Sequence, residues 1–221
     1  MKKLALLVSL LVFAAGCHHG RFAEIRGSGK RELQKRTVAP FTSITTDGAF
    51  TIVVTCQKEP SLEVEGDDNV LEYVTSEVGS NILKLKNTKN YSTSEPVKFT
   101  ISVPNLEGLS VNGAGHIEIK NVSNDKIEID ANGAPTILVS GTTKVIDVGT
   151  NGAGKIDAHN LHAARGVVDT KGASRVDLDV TEQLDATVAG PSTVTYKGDP
   201  VVNKTIHGPG KVERRSGGEG A

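Results

Sequence analysis

The chain repeats the octapeptide Asn112-Gly113-Ala114-Gly115-His116-Ile117-Glu118-Ile119 in six variant copies. Each copy has a lead glycine, and an Ile or Val stands four residues after it. The lead glycines are 18 to 20 residues apart, at positions 113, 133, 152, 172, 190 and 208. A related segment, Asp47-Gly48-Ala49-Phe50-Thr51-Ile52-Val53-Val54, begins 65 residues upstream of the first copy. So regular a spacing indicates a repeat architecture.

Each repeat has the pattern of two strands joined at a glycine-rich corner. Apolar residues alternate after the lead glycine, as at Ile117 and Ile119, and another stands four residues before it, as at Leu109. This period of two is typical of strands with one buried face. Two strands joined by Asn-Gly can form an antiparallel hairpin. Residue types nevertheless recur at equivalent positions from copy to copy, which favours coils that stack in parallel.

The sequence therefore predicts an all-β fold, a single-stranded parallel β-helix or β-solenoid with 18–20 residues per coil. An irregular N-terminal β cap is expected over residues 61–103, where the period is lost, because an uncovered first coil would expose a strand edge. Within it we expect one helical turn at 67–74. We also expect three extended segments, at 61–65, 82–86 and 97–103. Arg214 and Arg215 replace apolar residues at the other end, so the stack is expected to close near residue 212.

The N-terminus has the features of an export signal. A basic start, Met1-Lys2-Lys3, precedes an apolar run over residues 4–15 that is too short to span a bilayer as a helix. The following Ala14-Ala15-Gly16-Cys17 resembles the lipobox of bacterial lipoproteins, which implies a lipid on Cys17; cleavage as an ordinary signal peptide is the alternative. We therefore predict a signal peptide over 1–16, a lipidated tether over 17–35, the β-helix domain over 36–215 and a flexible tail over 216–221.

Composition and charge narrow the possible partners. The 25 basic and 26 acidic residues give no positive field for nucleic acid, so nucleic-acid binding is not expected. Aromatic residues are only 4% of the chain, so the core must consist of small and β-branched side chains. Cys56 lies in phase with the apolar residues of its strand, which predicts a buried, inert thiol rather than a reactive one.

From about residue 36 onward the chain resembles the family called putative auto-transporter adhesin, head GIN domain. The blocks that carry the resemblance are Val38–Ile44, Gly48–Phe50, Ile52–Val54, Leu62–Asp67 and Ile101–Leu106, followed by the glycine repeats. The resemblance implies a right-handed β-helix and a suspected adhesive role with no established ligand.

Two charged columns are predicted on the outer face of the solenoid. Three residues after the lead glycines stand His116, Lys155, Arg175 and Lys211, with Thr136 and Thr193 between them. Five residues after them stand Glu118, Asp157, Asp177 and Glu213, with Leu138 and Thr195 between them. Stacked carboxylates about 5 Å apart match the spacing in retaining glycosidases. The alternative, which we favour, is a solvated face whose opposite charges offset one another.

Other groups of residues give weaker indications of a functional site. The segment Gly152–Asp157 is similar to calcium-binding glycine-rich repeats, but its Asp is displaced by one residue. His159 and His162 have a metal-like spacing without a third ligand in the neighbouring repeats, so a surface loop is predicted for them. We expect no catalytic residues, metal or cofactor.

The sequence as a whole predicts a lipid-anchored protein of the bacterial cell envelope, in the outer membrane. We expect a non-catalytic binding or adhesin-like module that presents a flat face to glycan, extracellular matrix or another envelope protein. A polysaccharide-active enzyme and an envelope assembly or signalling component are the alternatives. The sequence leaves the oligomeric state open.

Overall fold

A computed structural model describes residues 25–215. The predicted signal peptide, the lipidation site Cys17 and the tail over 216–221 lie outside these residues. The described chain is all-β apart from one short helix, as predicted. Its elements are β1 (Ile25–Arg26), β2 (Arg31–Lys35), β3 (Ser43–Asp47), β4 (Thr51–Cys56), β5 (Ser61–Asp67), α1 (Asp68–Leu71), β6 (Val74–Gly79), β7 (Ile82–Asn87), β8 (Tyr91–Ser92), β9 (Lys98–Val103), β10 (Gly108–Gly113), β11 (His116–Gly133), β12 (Thr136–Gly152), β13 (Lys155–Gly172), β14 (Arg175–Ala189), β15 (Thr193–Lys197), β16 (Val201–His207) and β17 (Lys211–Arg214).

The repeats form a parallel β-solenoid. Strands β11, β12, β13 and β14 each run through most of one coil and pair in parallel with the next. Equivalent repeat positions lie side by side, so that Gly133 pairs with Gly152 and Gly152 with Gly172. The parallel pairing confirms the stacked coils and rules out the antiparallel hairpin. The strand pairings do not define the handedness of the coil, which stays a prediction.

The lead glycines are required by the corner at which each coil turns. Gly133 has a φ of +107°, a left-handed conformation that side chains disfavour. A Cβ atom at Gly133 would lie 2.4 Å from the carbonyl oxygen of Gly113 in the preceding coil. The corner therefore needs glycine both for its backbone conformation and for the close approach of neighbouring coils.

The core consists of ladders of inward-facing aliphatic side chains. One ladder contains Ile52, Ile117, Ile137, Ile156, Val176, Val194 and Val212. Of these, only Val212, in the last coil, is more than 2% exposed. Cys56 is 1% exposed, which confirms that its thiol is buried, and burial raises its pKa to about 11.

The segment that precedes the repeats forms the predicted cap, but it also adds a coil. Strands β3 and β4 stack directly beneath β10 and β11, so the upstream octapeptide is the neighbour of the first copy. Strands β7 and β9 pair in parallel with β3 and β4 and so continue the stack. Antiparallel β6 and β5 then cover β7 and β9. The three extended segments and the helical turn are confirmed.

The predicted start of the domain at residue 36 is wrong, because part of the predicted tether belongs to the fold. Strand β2 pairs antiparallel with β5, and β1 pairs with β8. The guanidinium group of Arg31 lies 3.8 Å from the buried carboxylate of Asp67 and 3.6 Å from Glu65. Strand β2 lacks an apolar alternation because most of its side chains are exposed at the sheet edge.

Within residues 25–215, no strand covers the C-terminal end in a comparable way. Strand β16 pairs only with β14, and β17 only with β15, among the strands of residues 25–215. The last residue of β17, Arg214, agrees with the predicted end of the stack. No helix in the described part of the chain is long and apolar enough to cross a membrane.

Candidate binding face

The parallel register assembles both predicted columns. Lys155 pairs with Arg175, and Asp157 pairs with Asp177, so like residues occupy successive coils about 4.8 Å apart. The basic column comprises His116, Thr136, Lys155, Arg175, Thr193 and Lys211. The acidic column comprises Glu118, Leu138, Asp157, Asp177, Thr195 and Glu213.

The basic side chains of this column are exposed, and most of them form no ion pair within residues 25–215. His116, Lys155, Arg175 and Lys211 are all exposed. The ammonium group of Lys155 is 3.8 Å from a carboxylate oxygen of Asp157. Arg175 and Lys211 form no ion pair within residues 25–215. These side chains are therefore free to contact a ligand without first breaking a strong internal interaction.

The carboxylates in the middle of the acidic column, by contrast, form hydrogen bonds and ion pairs with neighbouring side chains. The ring of His159 donates a hydrogen bond to Asp157. Burial raises the pKa of Asp157, but the hydrogen bonds from His159 and the charges of His159 and Lys155 outweigh it, and the pKa lies below its usual value. The Asp157 carboxyl is accordingly held in its ionised form.

Asp177 departs from the expectation that the column is solvated. It is only 8% exposed, and its ion-pair partner is Arg215 at 3.2 Å rather than Arg175 of the basic column. Arg215 follows the last strand and reaches back across β15 to Asp177. No local pattern predicts this contact, because the two residues are 38 positions apart.

The prediction of a surface loop at His159 and His162 is also wrong, because both lie within β13. The strand bulges there, and the pairing passes from Ala158 with Leu178 to His162 with Asp179. His162 lies 2.9 Å from Asp179, which is 6% exposed and also 3.5 Å from Lys197. Over residues 25–215, no group of three or more His, Cys, Asp or Glu side chains is arranged to hold a metal ion.

A second acidic surface, which sequence reasoning missed, lies on the other side of the glycine corners. Asp130, Asp147 and Asp169 line an open depression there. Burial and the negative charges of Glu128 and Asp147 raise the pKa of Asp130. Lys126 offsets part of this charge, 2.9 Å from Asp147 and 3.2 Å from Glu128. The alternation of β11 placed these side chains outward, but their proximity depends on the pairing of β11 with β12.

The geometry of the acidic column does not favour glycosidase chemistry. A retaining glycosidase needs one carboxyl that holds a proton and a second that is ionised. Asp157 has a lowered pKa, and Asp177 is paired with an arginine. Neither carboxyl is thus arranged as a proton donor, and the exposed cations are the better candidates for ligand contact.

Fold and surface together define a parallel β-solenoid with a capped N-terminal end and a charged lateral face. Residues 40–200 match the family described as putative auto-transporter adhesin, head GIN domain. The chain belongs to this family. No curated protein sequence matches it.

Solved structures from Bacteroidales share this fold. A putative adhesin from Bacteroides fragilis is 24% identical with a TM-score of 0.69, and the match covers 86% of this chain and 99% of that one. A putative adhesin from Parabacteroides distasonis is 20% identical with a TM-score of 0.60, over 86% and 99% of the two chains. A putative lipid binding protein from the same species is 20% identical with a TM-score of 0.56, over 87% and 100%. At these identities the likeness establishes the fold alone.

Proposed function

We propose that the protein is a lipid-anchored envelope protein whose solenoid is a non-catalytic, adhesin-like binding module. The observation that carries the proposal is the basic column, in which the parallel register lines up four exposed basic side chains along one side of the sheet. Membership in a family named for putative adhesins supports a binding role. A scaffold of hydrogen-bonded coils loses little conformational entropy when a ligand binds, so even weak contacts contribute to affinity.

The proposed anchor is a lipid on Cys17. Ile25 begins β1 only eight positions later, so the fold would start within about 28 Å of the lipidated residue. The capped N-terminal end would then face the membrane, and the later coils would extend away from it. This orientation leaves the lateral face accessible in the periplasm or at the cell surface, with the outer membrane as the proposed location.

The proposed ligand class is an acidic polymer, above all an acidic glycan of the envelope or of the extracellular matrix. Lys155 and Arg175 are adjacent in the column, and Lys211 lies two coils beyond Arg175. A chain with regularly spaced negative charges can contact several of these cations at once, which strengthens binding through multivalency. An acidic surface of another envelope protein is the alternative partner.

A glycan array combined with pull-down assays tests the proposed ligand class. The double variant Lys155→Ala, Arg175→Ala is expected to lose most of the binding to acidic glycans. Lys84→Ala, Lys86→Ala is the matched control, because it removes the same charge from exposed positions on β7, in the coil beneath β3 and β4. Binding should also weaken as salt rises. Equal losses in the two double variants, or binding that neither affects, would contradict the proposal.

Metabolic labelling with a fatty-acid analogue tests the anchor. Wild type is expected to incorporate the label and Cys17→Ser to lose it. Cys56→Ser removes the buried thiol instead and should keep the label. If Cys17→Ser is still labelled, or wild type never is, the protein is not anchored in this way.

Turnover assays separate the binding module from the polysaccharide-active enzyme. Wild type is expected to release no product from any polysaccharide it binds, because Asp157 and Asp177 are ion-paired. The double variant Asp157→Asn, Asp177→Asn is the control. If wild type releases product and this double variant does not, the protein is a polysaccharide-active enzyme rather than a binding module.

A further inference from the structure

The last coil interrupts a core ladder with a charged residue. The ladder contains Leu83, Ile44, Leu109, Ile129, Val148, Val168 and Ala186, and each of these side chains is at most 4% exposed. The next member, paired with Ala186, is Lys204 of β16. A lysine therefore occupies an inward-facing position at the end of a column that is otherwise apolar.

The surroundings of Lys204 are those of an open strand edge. Two apolar side chains of β16, Val201 and Ile206, are 68% and 37% exposed. The ammonium group of Lys204 lies 3.5 Å from the carbonyl oxygen of Val212 and donates a hydrogen bond to it. The side chain thus extends over the end of the coil towards β17. Lys204 forms no ion pair within residues 25–215.

A neighbouring column ends in the same way. Leu178 is buried and Tyr196 partly buried, and the residue paired with Tyr196 in the last coil is Arg214. Arg214 is exposed and forms an ion pair with Asp199 at 3.2 Å. Two inward-facing columns therefore end in a cation in the last coil, which no other strand of residues 25–215 covers. The first coils, by contrast, are covered by β5 and β6.

We infer that Lys204 prevents the open end of the solenoid from pairing with a second copy of this chain. Among the described strands, β16 is paired on one edge only, and its other edge and its exposed apolar side chains form a template for strand addition. A strand laid on β16 would bury the Lys204 ammonium without a carboxylate partner, at a large desolvation cost. Antiparallel pairing of two β16 strands about Lys204 would also place two lysines opposite each other.

The inference does not depend on the identity of the ligand. A solenoid end that pairs freely can join chains end to end, and contacts that do not close on themselves extend into fibres. Lys204 keeps the end unpaired at the expense of one apolar position in the last coil, where little packing is lost. The charged lateral face then remains the surface available for partners.

Sedimentation velocity of the full-length chain over a range of concentrations tests the inference, with Cys17→Ser in every variant so that no lipid contributes. Lys204→Val is expected to self-associate with a dissociation constant lower than that of the reference by about tenfold or more. Lys204→Arg keeps the charge and should behave like the reference. Lys211→Val is the matched control, because it makes the same change at an outward position of the adjacent terminal strand.

Hydrogen exchange of the associated Lys204→Val variant locates the contact. Amides of residues 201–207 are expected to gain protection as the concentration rises, because a second strand would cover the free edge of β16. The inference fails if Lys204→Val sediments like the reference, if Lys211→Val associates equally, or if association leaves the exchange of these amides unchanged. It also fails if the reference chain itself associates through β16.

Discussion

Ile156 and Lys155 are neighbours in sequence with opposite environments. Ile156 is 0% exposed between Ile137 and Val176, whereas Lys155 is exposed in the basic column. Ile156→Lys would bury an unpaired charge and is expected to lower the free energy of unfolding by about 3–5 kcal/mol. Lys155→Ala should lower it by well under ~1 kcal/mol. Urea unfolding measures both, and similar losses would mean that the strand faces the other way.

Asp157 and Asp130 carry opposite pKa shifts and should respond oppositely to pH. The lowered pKa of Asp157 contributes stability above the ordinary value of 3.8 and loses it as the pH falls through the folded-state pKa. The raised pKa of Asp130 destabilises the fold as the pH rises from 3.8 through its folded-state value. At neutral pH, both effects are fully present.

Replacement by asparagine therefore distinguishes the effects of the two carboxyls on the stability of the fold. At neutral pH, Asp157→Asn is expected to destabilise the fold and Asp130→Asn to stabilise it, each by up to about 0.5 kcal/mol as for other surface changes. Well below pH 3.8, where both carboxyls are protonated, the differences from wild type should disappear. Chemical unfolding at the two pH values is the measurement. Changes of the same sign at neutral pH would contradict the assignment.

The direction of single side chains was predictable from sequence, whereas their partners were not. The period of two placed Ile156 inward and Lys155 outward from local pattern alone. Asp177 is paired with Arg215, and the pKa of Asp130 is raised by burial and by the charges of Glu128 and of Asp147 in the next coil. Such contacts follow from the register of the coils and from side-chain reach, neither of which a single repeat encodes.

At the scale of the repeat, the glycine corner sets the stacking distance. Gly152 has a φ of +134°, and a Cβ atom there would lie 2.2 Å from the carbonyl oxygen of Gly133. Gly152→Ala is expected to lower the free energy of unfolding by about 2 kcal/mol or more, through strain and displaced coils. Gly79→Ala is the control, since a Cβ atom at that strand end meets no atom within 4 Å.

Thermal unfolding of the two alanine variants shows whether glycine is needed specifically at the corner or whether any loss of glycine destabilises the fold. Gly79→Ala should be neutral or slightly stabilising, because it restricts only the unfolded chain. A Gly152→Ala protein as stable as the Gly79→Ala protein would show that the corner tolerates a side chain.

Strands with one buried face were predicted more reliably than strands at a sheet edge. Strand β4 alternates buried and half-buried residues throughout, and the octapeptide pattern marked it. Strand β2 has the sequence Arg-Glu-Leu-Gln-Lys, and Leu33 at its centre is 57% exposed. Its place is determined by hydrogen bonding to β5, which leaves no hydrophobic period to detect.

For the whole molecule, the order of the coils in space differs from their order in sequence. The chain forms the coil of β3 and β4 first, then leaves it to build β7 and β9 beneath, and returns at β10 to continue above. The glycine spacing predicted the regular coils because each repeats the last. The insertion of a coil between them and the cap depends on contacts of residues 61–103 with β3 and β4, which the period does not describe.

The contribution of residues 25–35 to the fold can be measured by moving the N-terminal boundary of the chain. A chain that begins at residue 36 lacks β2 and so exposes the edge of β5. It also lacks Arg31, the cation 3.8 Å from Asp67, whose side chain is 1% exposed. A buried carboxylate without its cation costs about 3 kcal/mol, so this chain should unfold at a much lower urea concentration than one that begins at residue 25. In the longer chain, Arg31→Met should cause part of the loss, while Leu33→Ala should change little. If both chains unfold at the same urea concentration, residues 25–35 are a tether after all.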